Sequence, residues 1–451
     1  MTSIGRQGSG RRYRAYTVRQ LAELTERAGL PAAERLQVQA VAAVLPFRTN
    51  NYVVEELIDW AAAPDDPIYR LVFPQADMLS EQDLWPVAES LRQNAPAAEV
   101  RAAADRVRAR LNPHPAGQLD LNVPTLFGRP VPGLQHKYRE TVLFFPRQGQ
   151  TCHAYCTYCF RWAQFVGEPS LKIADEGDPA LLASYLRANP DVTDVLLTGG
   201  DPMIMSTEVL RSIVVPLLGL EQLESIRIGT KALAYWPYRF LTDPDAEDML
   251  RLFEQVVAAG KSLAVMAHFS HPRELETEPA RAATARIRGT GAVIRTQAPL
   301  IRSINDSAAI WERMWREQVR LGLVPYYMFV ERDTGPQDYF AVPLARAWDI
   351  YRDATARVSG LSRTVRGPSM SATPGKICVD GLAEINGERV FVLRLLQSRD
   401  ADLVGRPFFA RYDPEATWLT DLVPAFAEGC PFGRPAGPPG GGGSGELLIA
   451  R

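Results

Sequence analysis

Three cysteines crowd one short stretch of the chain, Cys152, Cys156 and Cys159 in Gln150-Thr-Cys-His-Ala-Tyr-Cys-Thr-Tyr-Cys-Phe-Arg161. The spacing Cys-x3-Cys-x2-Cys offers three thiolates to an iron–sulfur cluster that ordinarily takes four, so one iron is left open to a ligand that is not protein. A structural zinc site is the competing reading, although zinc sites usually pair Cys-x2-Cys halves or add histidines at set distances. Incidental buried thiols are the third. The other two cysteines, Cys378 and Cys430, stand far from the trio. A second short motif is Gly199-Gly200-Asp201. Its glycines let backbone approach a ligand that a Cβ would block, and its carboxylate can accept from an ammonium. A plain strand-to-helix turn is the alternative.

The elements that must position these residues are visible as short apolar runs separated by helical stretches: Thr141 to Phe145, Val192 to Thr198, Ser225 to Gly229, Leu263 to His268, Ala292 to Gln297, and Val324 to Val330. Six strand candidates at intervals of about 30 to 50 residues have the rhythm of β-α units around a parallel sheet. The expected fold class is α/β, a partial (β/α)6 barrel open at one side, with a helical N-terminal region and an irregular C-terminal extension. In such barrels chemistry sits on loops after the carboxyl ends of strands. The cysteine loop follows the first candidate strand and Gly199-Gly200-Asp201 the second.

The chain divides into a disordered tail over 1–15, a helical region over 16–130, the barrel over 131–357, a C-terminal region over 358–432 and a flexible tail over 433–451. Apolar residues three and four apart, as in Val18-Arg-Gln-Leu21-Ala-Glu-Leu24, mark the helical region. Asn386-Gly387 between apolar runs predicts a hairpin around Ala383 to Leu393. The run Gly440 to Gly443 is low complexity.

Lys and Arg number 50 against 52 Asp and Glu, a formal net charge of −2, so neither nucleic acid nor an anionic membrane is expected as a general partner. The arginines Arg6, Arg11, Arg12 and Arg14 read as part of a solvated tail. No apolar run reaches the roughly 18 residues that span a bilayer, and the start lacks a secretory apolar core, so a cytoplasmic location is expected. That compartment suits free thiolates.

The cysteine spacing, with an aromatic residue before the last cysteine, resembles the signature of radical S-adenosylmethionine (SAM) enzymes. The resemblance implies a 4Fe-4S cluster whose open iron is chelated by the amine and carboxylate of SAM. From about Val131 to Lys376, and more weakly before it, the chain resembles the lysine 2,3-aminomutase family. The residues that carry this likeness are Pro132-Gly-Leu-Gln-His-Lys-Tyr138, Leu196-Leu-Thr-Gly-Gly-Asp201, Ile226-Arg-Ile-Gly-Thr230, His268-Phe-Ser-His-Pro272, Gln297, Ser303-Ile-Asn-Asp306 and Pro325-Tyr-Tyr327, with Leu45-Pro-Phe-Arg48 and the segment ending at Arg70 as a prelude.

The resemblance implies that Thr198, Gly199, Gly200, Asp201, Lys231, His268 and Gln297 face SAM, that Arg161 pairs with the substrate α-carboxylate, and that Lys376, in Met370-Ser-Ala-Thr-Pro-Gly-Lys376, binds pyridoxal 5′-phosphate (PLP). The family holds the PLP phosphate with two arginines; this chain has Lys137 and Thr141 there, with Arg139 nearby. Lysine-acting members hold the distal ammonium with two aspartates, and the same offsets here give Arg332 and Ser369, with Asp333 next door. A buried arginine repels an ammonium and pairs with a carboxylate. The resemblance therefore implies a small-molecule amino acid substrate that is acidic, glutamate or aspartate, moved by a 2,3-aminomutase reaction with a flavodoxin or ferredoxin as electron donor. Three other readings stay open: a PLP-independent radical SAM epimerase, dehydrogenase or isomerase on the same scaffold, a protein-modifying relative, and a non-enzyme that only holds metal. The lysine enzyme closes its dimer with a zinc site using C-terminal cysteines; only Cys430 remains here, so no structural zinc is expected and a homo-oligomer is possible.

Overall fold

The computed structural model describes residues 11–172 and 178–426. Its centre is an eleven-stranded sheet whose neighbours follow chain order. Two small antiparallel pairs precede it, β1 (Ala15–Thr17) with β2 (Arg48–Asn50) and β3 (Thr125–Leu126) with β4 (Arg129–Pro130). The sheet then runs β5 (Leu134–Tyr138), β6 (Thr141–Phe144), β7 (Asp194–Leu197), β8 (Ser225–Thr230), β9 (Ser262–His268), β10 (Val293–Leu300), β11 (Val324–Val330), β12 (Arg366–Ser371), β13 (Gly375–Ile385), β14 (Glu388–Ser398) and β15 (Pro407–Arg411). All six expected strands are present as β6 to β11, each parallel to the next.

Their apolar residues alternate because each strand has one face against helices. Val142 pairs with Val195, Val195 with Ile226 and Ile226 with Leu263, a buried row. It packs in one core with Leu182, Leu210, Ile213 and Phe253 of the intervening helices. The opposite face carries the alternate positions Thr141, Asp194, Arg227 and Thr198. This inner face and the loops after the strands hold the candidate site.

The C-terminal segment corrects one expectation. Rather than an irregular extension, it adds four strands to the sheet: β12 parallel to β11, then β13, β14 and β15 antiparallel. The hairpin is as expected, with Ile385 opposite Glu388 and both loop residues left-handed, Asn386 at φ 53° and Gly387 at φ 79°. Side chains tie the flanks of the sheet together: Lys137 of β5 donates to the carbonyl of Ala372, and Arg399 after β14 donates to Leu121 O at 3.1 Å and to the Asn122 side chain. Among the described residues no strand pairing closes the sheet.

Residues 11–15 correct another. Arg11 is not part of a solvated tail but pairs with Glu55 and Glu56, and Tyr13 donates to His153 O at 2.7 Å. Residues 1–10, the 433–451 tail and Cys430 lie outside the described residues. Helices Val18–Arg27, Ala32–Val44, Pro67–Val72, Glu81–Arg92 and Ala97–Arg108 build the N-terminal region. No described helix is long and apolar enough to cross a membrane.

Asp66 joins that region to the sheet. Fully buried, it caps Pro67–Val72 by accepting from Tyr69 N at 2.8 Å and pairs with Arg273 after β9. Asp66→Ala removes a cap and leaves Arg273 unpaired, a loss of about 3 kcal/mol of stability. Urea denaturation of the two proteins measures it, and a change below about 1 kcal/mol would contradict a buried tie.

Candidate active site

The loop Cys152–Cys159 has no regular secondary structure, so its backbone polar groups must be met from outside. The N-terminal region meets them: Tyr155 N donates to Arg48 O at 2.8 Å, Thr157 N to Leu71 O at 2.9 Å and Thr157 Oγ1 to Arg70 O at 2.7 Å. His153 O accepts from Tyr13 and from Asn50 Nδ2, the latter at 3.2 Å. The prelude motifs ending at Arg48 and Arg70 thus hold the cysteine loop.

The Gly199-Gly200-Asp201 motif holds it from the other side. Gly200 N donates to Gly149 O at 2.9 Å and Asp201 N to Thr151 O at 2.7 Å. A Cβ on Gly200 would lie 2.3 Å from the Thr151 carbonyl oxygen, and one on Gly199 would lie 2.9 Å from Gly149 O. In this structure the glycines therefore admit the backbone of the cysteine loop. Asp201 ties loops together: it accepts from Thr230 Oγ1 at 2.7 Å, Lys231 N at 2.8 Å and Met203 N at 2.9 Å.

The remaining expected SAM-side residues stand at successive strand ends. Lys231, just after β8, pairs with the buried Glu274 at 2.8 Å and lies 4.5 Å from the Tyr235 ring centre. His268 ends β9 beside Gln297 of β10, whose amide nitrogen is 2.6 Å from His268 Nε2. Burial, then the charges of Lys231 and Arg161, holds His268 down at about 3, so its ring is neutral. Arg161 is buried, with its pKa lowered to about 10, and donates to Thr198 Oγ1 at 2.6 Å and Gly199 O at 2.7 Å.

Phe160 links this end to the next. The guanidinium carbons of Arg161 and Arg332 each lie 4.8 Å from its ring centre. Arg332 donates to Ser371 O at 3.2 Å, while its Nε is buried without a partner. Asp333 sits against Asn112, whose amide donates to its carbonyl. Ser369 is fully buried in β12. Lys376 opens β13; its Nζ donates to Gln397 at 3.0 Å and lies 4.2 Å from the Tyr327 ring centre. Burial lowers its pKa to about 7, and burial, then Arg332 and Arg399, does the same for Lys137.

These residues fit the groups the resemblance implies. Each thiol is pushed up by burial, that of Cys159 to about 12; Asp201 next adds to this at Cys152 and Cys156 at Cys159, while Lys231 offsets part of it at Cys156, so a cationic cluster is the partner that would ionise them. Among the described residues no three His, Cys, Asp or Glu side chains converge as one ion requires; in a cubane each thiolate binds a different iron. A half-buried lysine whose pKa is lowered to about 7 against aromatic rings suits an aldehyde cofactor. Sequence reasoning missed Tyr13, Phe160, Gln397 and Glu331. Glu331 is a buried acid beside Arg332 whose pKa is pushed up to about 8 by burial. Its place directly after β11 was the available signal.

No family model matches the chain. It is 32% identical over 400 residues to "Putative L-lysine 2,3-aminomutase" of Aquifex aeolicus, covering 88% of this chain and 93% of that relative. Identity to L-lysine 2,3-aminomutase of Clostridium subterminale is 29% over 232 residues, and to that of Bacillus subtilis 30% over 231 residues. Each of these alignments covers 51% of this chain, and they span about half of the relatives, 52% and 46%. Among solved structures, a radical SAM methyltransferase from Sphaerobacter thermophilus is 20% identical with a TM-score of 0.33, covering 53% of this chain and 68% of its own.

Gly200→Ala tests the clasp on the cysteine loop. Its Cβ meets backbone, so the loop must move. Iron and sulfide content after anaerobic reconstitution is expected to fall several-fold with the far-ultraviolet circular dichroism unchanged; full iron content would contradict the clasp.

Proposed function

The chain belongs to the lysine 2,3-aminomutase family, and from that premise we propose that it is a radical SAM, PLP-dependent 2,3-aminomutase acting on an acidic amino acid. The observation that carries this reading is Arg332, half-buried with its Nε–H buried and unpaired, its guanidinium over the same Phe160 ring as that of Arg161. No carboxylate hydrogen-bonds this Nε–H; the adjacent Glu331 is held largely protonated by burial, and an anionic group on the substrate would satisfy the open donor. When bound, the cluster and SAM supply a hydrogen-abstracting radical, and PLP carries the nitrogen as it moves from C2 to C3.

The protein's own residues bind, orient and exclude water. Arg161 would take the α-carboxylate, exchanging its present bonds to Thr198 and Gly199 for a planar partner. Arg332 would take the distal carboxylate, and it would repel the ammonium of lysine at the same place. Cys152, Cys156 and Cys159 would ligate the cluster, with Lys231, His268 and Gln297 bordering SAM. Lys376 would meet the aldehyde of PLP, its low pKa leaving a large neutral fraction near pH 7. The inner face bordered by these strand-end loops is read as the interior of a partial barrel, and a small flavodoxin- or ferredoxin-type donor as the source of the electron. One observation favours a second reading, a PLP-independent enzyme on this scaffold: Thr141 brings no charge to one of the two phosphate positions.

Three measurements test the reading. Reconstituted protein treated with PLP and borohydride is expected to carry a fixed adduct on Lys376, located by mass mapping; an adduct elsewhere or none would favour the PLP-independent reading. The rate of adduct formation should rise between pH 6 and 8 and then level off. Lys376 loses its proton near 7 in the fold, whereas an exposed lysine would keep gaining rate up to its ordinary value of about 10.4. Arg332→Asp should move the ratio of kcat/KM for lysine over glutamate upward by about a hundredfold, the scale of replacing a repulsion by a charged pair. Wild-type activity on lysine equal to that on glutamate would overturn the acidic substrate.

A further inference from the structure

We propose that Arg366, beside Tyr326 and Tyr327, forms an anion site that receives the phosphate of the cofactor whose aldehyde meets Lys376. The inference rests on the cofactor reading above and names where the chain finds the charge that Thr141 lacks.

Thr141 begins a relay across three neighbouring strands. Its Oγ1 donates to Asp194 Oδ2 at 3.0 Å, and Asp194 accepts from Arg227 Nε at 2.8 Å and from a second nitrogen of the same guanidinium. The uncharged residue at 141 thus helps to fix an arginine on β8. Strands β11 and β12 supply a second guanidinium. Arg366 donates to Tyr327 Oη at 3.2 Å and stands 4.9 Å from the Tyr326 ring centre, while Lys376 Nζ is 4.2 Å from the centre of the Tyr327 ring. The amine and the guanidinium thus share one tyrosine, whose ring centre is 5.6 Å from the Arg366 guanidinium carbon. Arg295 lies on the far side of the same cluster, 5.1 Å from the Tyr326 ring centre. Neither Arg295 nor Arg366 pairs with a described acidic residue, whereas Arg227 is paired with Asp194.

Three other cations near Lys376 each give a bond to the backbone before it. Lys137 donates to Ala372 O, Arg332 to Ser371 O at 3.2 Å and Arg399 to Thr373 O at 3.1 Å, so three side chains pin consecutive carbonyls of the loop before Lys376. Among the described residues the Arg366 guanidinium meets two tyrosines, Tyr326 and Tyr327, and no acid. Its fork is open to solvent on one side and suits a phosphate dianion, which takes two parallel N–H bonds.

The test compares PLP with pyridoxal, which has the aldehyde but no phosphate. Reconstituted wild type, Arg366→Ala and Arg366→Lys are titrated with each aldehyde by absorbance, and the borohydride-fixed adduct on Lys376 is quantified by mass spectrometry. Arg366→Ala is expected to weaken PLP about tenfold, the scale of one charge-assisted hydrogen bond, and to leave capture of pyridoxal at Lys376 unchanged. Arg366→Lys should recover part of the loss, and inorganic phosphate should compete with PLP in the wild type more strongly than in Arg366→Ala. Equal effects on both aldehydes, or no effect on PLP, would overturn the assignment of Arg366. Failure of the folded wild type to capture either aldehyde at Lys376 would overturn the cofactor reading itself and the phosphate site with it.

Discussion

The constraint on which the site depends is the contact between two irregular loops: Gly200 lies so near the carbonyl of Thr151 that no side chain fits between them. The loop that presents the three thiols is neither helix nor strand, so beyond its own turn from Cys159 N to Cys156 O it depends on its neighbours for backbone bonds. Gly200 and Asp201 supply two, and the carbonyls of Arg48 and Leu71 supply two more from the opposite side. The parallel strands set the spacing of the first pair, and the helical prelude is docked through Asp66 and Arg273 to set the second. The N-terminal region is thereby part of the site's construction.

From that fixed point charge is organised along the inner face. Arg161 and Arg332 share one phenylalanine ring, and each is held by carbonyls, so two like charges stay close in a buried place without collapsing onto acids. Beyond them the loop over Ser371 to Pro374 is pinned by cations from three separate segments, which sets the entry of β13 and so the reach of Lys376. The polypeptide spends its polar contacts on holding cations in position, which is the contribution a protein makes when cofactors carry the difficult bond chemistry.

The six parallel strands were legible because one face of each packs on helices and writes its alternation into the sequence. The added strands β13 and β14 were legible only near the Asn386-Gly387 turn. Gly381 and the register shifts near Lys376 and Val379 interrupt the pattern along the rest of β13. Cys152, Cys156, Cys159 and Lys376 stand out as candidates from motif alone. The part played by Gly199 and Gly200 was not, since a glycine signals a close approach without saying whether ligand or backbone approaches. Arg11 looked solvated because its partners, Glu55 and Glu56, lie in another element, and Phe160 looked incidental because nothing in the sequence shows that Arg332 folds onto it.

The account turns on whether nitrogen moves within an acidic amino acid. The most direct measurement incubates reconstituted, reduced protein with SAM, PLP and glutamate labelled with nitrogen-15 and carbon-13, and follows the nitrogen–carbon coupling by nuclear magnetic resonance. Transfer of the coupling from C2 to C3 is the predicted result. Cleavage of SAM with the nitrogen still on C2 would contradict it.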